Sequence, residues 1–451
     1  MASTQASPPS SEAVRSTEAA TLGGEAAVVA AGRPTADKPT PLPSVLTFTF
    51  LNSMGSGLVS NGIFFIAKET FGFSKAQCFG LGVAYGLTYI PAAMGVGPLV
   101  RRLRAGGTLS GRGVLCVLMA GMGGACMLPA LSLAMNGAAK PSAWALWMLM
   151  LVYAGLSGML WPMVEAYLSG GRRGKVLRTG TGRFNITWSS ALVLAMLLVA
   201  PYTKEGAVEA LAALGVLHWL SCVILVDFSP SPAAHEEEEH EPHAPVYAEQ
   251  LAIFRWVLAT AYLVLNALLP YIAVVADTLG LGATAAVVLG ASWPAARVAG
   301  FIFMERWHGW HGRRSMPWVG CGMLLGGFAL VVLLPVLLPQ TWALAGVVLG
   351  LIVFGAAMGV IYAATLYYTM SVGAAQVEAG GSFETLIGLG YLIGPLSGLA
   401  TVWWWADKEG GSGHIETTML VLVSVLMLGG VAMALRAAGA QAKASGGGRD
   451  V

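Results

Sequence analysis

Three ionisable residues sit deep enough in apolar sequence to do chemistry: Glu165, Arg297 and Glu384. A charge surrounded by hydrocarbon is costly, so such a residue either serves a solute or ion or is neutralised by a partner. Glu165 belongs to GLSGMLWPMVEAYLSGGRRGKVLRTGTGRFNITWSS, which runs from Gly155 to Ser190 and carries five basic residues after the acid. Arg183 or Arg102 is its expected partner, in an ion pair that clamps an inner loop; carrying a proton is the competing reading. Glu384 falls in the first turn of its segment, after Ser382, where capping the helix would by itself account for a carboxylate. Arg297 lies about two turns from the end of its segment, too deep to snorkel easily, and suits an anionic group of a solute or an internal acid.

Polar and aromatic residues at similar depth complete the candidate solute-binding set with Arg297. The first half of the chain supplies Asn52, Ser56, Asn61, Tyr89 and Trp188; the second supplies Tyr262, Asn266, Trp293, Tyr362 and Tyr367. Amides beside aromatic rings suit a polyhydroxylated or mixed apolar and polar solute, although packing accounts for any one of them taken singly. The tract from His235 to His243 holds four consecutive glutamates with prolines, and reads as a solvated linker rather than a metal site. The five cysteines lie in apolar segments without CxxC pairing and are expected to pack as small apolar side chains. His218 is expected to be a buried packing residue, and His308 and His311 to hydrogen-bond an inner loop. No metal or other cofactor is expected.

The elements that must position these residues follow from composition. Hydrophobic residues make up 56% of the chain, charged residues 11%, and mean hydropathy is +0.69, values of an integral membrane protein. The apolar runs are about 20 residues long rather than ~10-residue alternating strands, so the fold class is all-α. A formal net charge of +2 from balanced acids and bases points to no nucleic-acid partner. Twelve spans are expected. Six cover Ser44 to Ala67, Cys78 to Val100, Gly113 to Met135, Ala143 to Leu168, Phe184 to Tyr202 and Val208 to Leu225. The other six cover Gln250 to Ala276, Ala283 to Met304, Trp318 to Leu338, Trp342 to Tyr368, Ser382 to Trp405 and Thr417 to Leu435. The domain reading is a disordered tail over 1–42, a six-helix bundle over 43–227, an acidic linker over 228–249, a second bundle over 250–437 and a tail over 438–451. With the N-terminus in the cytoplasm, 20 of the 25 basic residues fall on that side, so both termini are expected inside.

The two halves echo one another. Gly158, Trp161 and Tyr167 recur 201 positions later as Gly359, Tyr362 and Tyr368, and Arg183 is likewise 201 before Glu384. Between spans 2 and 3 stands Gly97-Pro98-Leu99-Val100-Arg101-Arg102, with Gly111-Arg112 beyond. Between spans 8 and 9, Gly300-Phe301-Ile302-Phe303-Met304-Glu305-Arg306 is followed by Gly312-Arg313-Arg314. With twelve spans split six and six around a central loop, these stretches resemble the major facilitator superfamily and its G-x-L-x-D-R-x-G-R pattern. Arg101 occupies the acidic position. Span 11 carries Gly390-x-x-x-Gly394-Pro395-x-x-Gly398, which resembles an antiporter motif found in span 5 of that family; its place here argues for close helix packing.

The resemblance implies two pseudo-symmetric six-helix bundles rocking about a central site, closed by an inner gate. The gate residues it implies are Arg101, Arg102, Glu165, Arg183, Glu305, Arg306 and Glu384, with a swapped latch of Arg101 or Arg102 on Glu384. The expected function is secondary active or facilitative transport of a small solute by alternating access. A non-transporting scaffold or receptor is the alternative, and an enzyme is not expected, since no catalytic cluster of acids, histidines and serines occurs. No nucleotide-binding GxxxxGK[ST] loop occurs either. The expected partners are a small-molecule substrate, the bilayer of the cytoplasmic inner membrane and a coupling proton or other ion, for a monomeric protein. Spans 1 and 7 offer no internal carboxylate for such a proton.

Overall fold

A computed structural model of the chain describes residues 38–137, 140–172, 174–233, 245–372, 377–406 and 414–446. Among these, the spans of the first half are α1 (Leu42–Glu69), α2 (Lys75–Ala105), α3 (Gly111–Cys126, then Leu128–Asn136 beyond a bend of 42°), α4 (Ala143–Ser169), α5 (Gly174–Val199) and α6 (Ala207–Ser221). Those of the second half are α7 (Pro245–Thr278), α8 (Ala283–Arg306), α9 (Met316–Leu337), α10 (Gln340–Val372), α11 (Val377–Trp405) and α12 (Ile415–Gly446). By length and apolarity eleven helices can cross a membrane, or twelve if the bent α3 is one span. Most of the proposed tail over 1–42, the tract His235 to His243 in the linker and the last five residues lie outside the described residues. The start of the linker packs against the first half: Phe228 is buried, with its ring 4.9 Å from Tyr167 and 5.4 Å from Phe48.

Local chemistry sets the ends of these helices. Ser74 and Gln77 form a reciprocal capping box at the start of α2, and the Ser110 hydroxyl caps α3 by accepting from the Gly113 amide at 3.1 Å. After α4, Arg172 turns back and donates to the carbonyls of Tyr167 and Leu168 at 2.9 and 2.7 Å. It therefore serves the end of α4 rather than a solute.

Two starts differ from the sequence expectation. The α5 helix begins at Gly174, ten residues before the expected Phe184, because GKVLRTGTGR is helical but too polar to register in hydropathy. The α11 helix begins at Val377, so Glu384 lies about two turns inside rather than in the first turn. A terminal capping role is thereby removed.

The halves meet where α2 packs along α11 and α5 along α8. Without a hydrophobic force between helices in lipid, such contacts depend on small residues that let backbones approach. At Gly86 a Cβ would stand 2.6 Å from the Leu392 amide nitrogen and 2.7 Å from its Cα, atoms that cannot swing away. Gly95, on the same helix, has open space around it. Gly86→Ala should therefore lower the melting temperature of purified protein, through a cost of about 1–3 kcal/mol for overpacking, while Gly95→Ala leaves it unchanged. Equal melting temperatures for the two variants would contradict this packing.

Candidate functional site

A cavity opens between the halves at the middle of the helices. From the first half it is lined by Ser53, Ser56, Ser60 and Asn61 of α1, Tyr85 and Tyr89 of α2, Ser157 and Trp161 of α4, and Trp188 of α5. From the second come Tyr262 of α7, Arg297 of α8, Tyr362 of α10, and Glu384 and Tyr391 of α11. Its polar edge along α1 follows from a π-helical turn at Leu58–Gly62. There the Ser60 hydroxyl and the Asn61 amide donate to the carbonyls of Ser56 and Gly57 at 2.7 and 2.9 Å. Such turns insert an extra residue into a helix and commonly mark functional sites.

Arg297 is 2% exposed. Its Nε donates to the Ser189 hydroxyl of α5 at 3.0 Å, and that hydroxyl in turn donates to the Pro294 carbonyl at 3.4 Å. The guanidinium carbon stands 4.1 Å from the centre of the Trp188 ring and 4.6 Å from that of Trp293, so two indoles hold the cation. Nη2 has no hydrogen-bond partner, and among the described residues no carboxylate lies within 4.0 Å of the group. This is a buried guanidinium with an unused donor.

Glu384 stands on the other wall, with Glu165 buried behind it. The Tyr89 hydroxyl donates to Glu384 Oε2 in a short hydrogen bond across the halves. Glu165 is 4% exposed, its Oε1 has no hydrogen-bond partner, and it lies within electrostatic range of Glu384. Gly380, one turn before Glu384, admits this approach, since a Cβ there would be 3.0 Å from Glu165 Oε2. Aromatic rings bridge the two walls: Tyr85 and Tyr391 are 4.8 Å apart, Tyr262 and Tyr391 5.9 Å, and Trp188 and Tyr362 5.1 Å.

Of the sequence candidates, the cavity brings together Ser56, Asn61, Tyr89, Trp188, Tyr262, Arg297 and Tyr362. Four lie elsewhere. Asn52 is buried in the first half, where its Oδ1 is 2.7 Å from His218 Nδ1 and its amide donates to the Ser221 hydroxyl at 3.1 Å. Asn266 donates to the Tyr262 carbonyl at 2.8 Å, Trp293 stacks behind Arg297 without lining the cavity, and Tyr367 belongs to a second cavity. Sequence reasoning missed Tyr85, Tyr391 and Trp161. A signal existed for two of them: Tyr85 and Tyr89 are one turn apart on α2, and Trp161 is the repeat partner of Tyr362.

The inner-gate residues divide differently from expectation. Arg183 is exposed on α5 whereas Glu165 is buried against Gly380 of α11, so among the described residues the two do not pair. Arg101 and Arg102 are exposed near the end of α2, about 18 Å along the helix from Tyr89, which holds Glu384, so the swapped latch is not formed. Glu305 lies beside Gly182 and lines the second cavity with Lys175, Arg178, His308 and His311, while Arg306 is exposed. That cavity, of about 410 Å³, sits among the ends of α5, α8 and α10 that the basic connections share. At the opposite ends, Lys68 of α1 pairs with Asp277 and donates to the Ala273 carbonyl of α7 at 3.1 Å. Contacts between the halves thus bracket the central cavity on both sides.

The sequence matches the family model of the Major Facilitator Superfamily over residues 45–395. The chain belongs to the major facilitator superfamily. Its fold is similar to that of a mutant of the nucleoside transporter NupG, with a TM-score of 0.62 at 14% identity over 87% of this chain and 99% of that one. A bacterial homolog of the human lysosomal transporter Spinster gives 0.63 at 14% identity over 89% and 97%. The human organic anion transporter MFSD10 gives 0.51 at 14% identity over 86% and 99%. No curated protein sequence matches the chain. This superfamily member is a multi-pass membrane solute transporter, and its family and fold are those of transporters rather than enzymes.

His218 does more in this transporter than pack. It joins Asn52 to the Tyr153 hydroxyl, 2.8 Å from Nε2, in a network enclosed by α1, α4 and α6 and absent from the cavity lining. Replacing it takes the hydrogen-bond partner from the buried Tyr153 hydroxyl and leaves Asn52 Oδ1 only the Ser221 hydroxyl at 3.3 Å. His218→Phe should cost about 1–3 kcal/mol of stability for the orphaned hydroxyl while solute affinity stays within roughly twofold. A large loss of affinity without a fall in melting temperature would move the network into the transport path.

Proposed function

We propose that the protein carries a small organic solute with an anionic group, which binds in the central cavity and reaches the two faces in turn as the six-helix halves rock. The observation that carries this reading is Arg297: a permanent charge, buried between two indoles, with Nη2 unused and no counter-ion among the described residues. A guanidinium so placed is matched by the paired oxygens of a carboxylate or phosphate. The organic anion transporter among the similar folds is consistent with such a solute. Glu165 and Glu384, one from each half, supply protonatable groups deep in the helices, where spans 1 and 7 have carboxylates only at their ends. The excess of lysine and arginine on one side supports both termini in the cytoplasm; the membrane we propose is the cytoplasmic inner one.

A thermal-shift screen of the full-length protein against sugars, amino acids, organic acids and amphipathic drugs tests the reading. The stabilising compounds should carry an anionic group, and Arg297→Ala should weaken them about thirtyfold or more, since truncating one side of a buried charge pair costs ~2 kcal/mol at least. Anion binding unchanged in that variant would remove Arg297 from the site.

Lys68 and Asp277 form the gate of the face opposite the basic one in this reading. Cross-linking Lys68→Cys to Asp277→Cys should stop uptake into proteoliposomes of a compound found in the screen, and reductant should restore it. Uptake at an unchanged rate in the cross-linked protein would show that these ends need not separate.

A further inference from the structure

The central cavity is charged on both walls, and the opposite charges do not meet. On one side Arg297 is anchored by Ser189 and by the rings of Trp188 and Trp293. On the other, Glu384 is anchored by the Tyr89 hydroxyl, with Glu165 close behind. Tyr262 stands within electrostatic range of all three ionisable groups. Each side keeps an unused polar atom, Arg297 Nη2 and Glu165 Oε1, in residues that are 2% and 4% exposed.

A cation and an anion lining one buried space would gain by closing on each other; separate anchors prevent it, so the gap is a built feature. A solute with only an anionic group would satisfy Arg297 and then face Glu384, with Glu165 behind it. One with only a cationic group would satisfy the acids and leave the guanidinium without a partner. The geometry points to a small zwitterion as the solute, its carboxylate or phosphate on Arg297 and its ammonium at Glu384 among the tyrosine rings. This rests on the central cavity being the transport site. The rings suit the cationic end, because an ammonium is attracted to aromatic faces. Size agrees: the cavity offers about 70 Å³ to the centres of water molecules. That is room for roughly five to seven waters, or about 150–200 Å³ of liquid, the scale of a single amino acid.

Two matched sets of probes decide the point, tested on the full-length protein in detergent or nanodiscs at one pH. The first is phenylalanine, 3-phenylpropionate and phenethylamine; the second is leucine, 4-methylpentanoate and 3-methylbutylamine. In the wild type an amino acid should bind, and losing either charged group should weaken binding about tenfold or more. In Arg297→Gln the advantage of the amino acid over the amine should vanish. In Glu384→Gln its advantage over the acid should vanish. Arg297→Lys and Glu384→Asp keep the charges and should keep part of the preference, and they stand in where a glutamine variant does not fold.

An acid that binds as tightly as its amino acid, with no effect of Glu384→Gln, would replace the zwitterion by a simple anion. Silence of both sets, with some other compound bound and lost in Arg297→Gln, would overturn the zwitterion and leave the central site standing. Binding of any compound that neither variant alters would overturn the central site as well.

Discussion

Hydrocarbon provides no partner for a charge, and the placement of Arg297 is the arrangement on which the rest of this structure turns. Three elements hold the side chain. The α5 helix supplies Ser189 and Trp188, α8 supplies Trp293, and α10 comes close enough behind α8 to fix its backbone. That last approach depends on glycine. A Cβ at Gly359 would stand 2.9 Å from the Arg297 carbonyl and 3.1 Å from the Gly300 Cα. At Gly355 it would collide with the Trp293 carbonyl. The small residues of α10 therefore help position the guanidinium through the backbone of α8.

The repeat gives this arrangement its counterpart. Gly158 of α4 packs on α2 as Gly359 of α10 packs on α8: a Cβ there would meet the Tyr89 carbonyl at 2.6 Å. By this correspondence Tyr89 and Arg297 occupy equivalent places in the two halves, each under the glycine of the neighbouring helix. Trp161 and Tyr362, the next repeated pair, both line the cavity. One scaffold thus offers two matching wall positions, with a phenol that holds an acid on one side and a free cation on the other. Arg183 and Glu384 show how far the match has drifted, since one is exposed and the other buried.

The fold was legible because a membrane helix announces itself by length and apolarity, and the basic residues and glycine offsets added the division into halves. The site was only partly legible. Hydropathy hid the polar first turns of α5, which misplaced Arg183, and the glycines and polar residues before Glu384 hid the early turns of α11. Asn52 looked like a cavity amide because a buried polar residue on a helix has no visible direction in sequence; its side-chain partners, His218 and Ser221, come from another helix. Tyr85 and Tyr391 were missed for the same reason. A tyrosine in an apolar run reads as packing until its neighbours across the interface are known.

The contacts joining the halves differ in what it takes to break them. Lys68 with Asp277, the latter 55% exposed in its side chain, is a partly solvated pair and contributes about 0–1 kcal/mol. The α2 and α11 interface is a close contact of small residues, which can tilt while still in van der Waals touch. Two hydrogen bonds are of another kind: Tyr89 to Glu384 and Arg297 to Ser189 both cross between halves, both are buried and both involve a charged residue. Bonds of that type are worth about 1.5–3 kcal/mol and are costly to leave unmade. They are also made by the residues that line the cavity with charge. In the proposed reading a solute would engage Arg297 through its unused Nη2 and Glu384 beside Tyr89, and so would act on the same two residues that tie the walls together. Binding and the rocking of the halves would then be coupled through the same side chains.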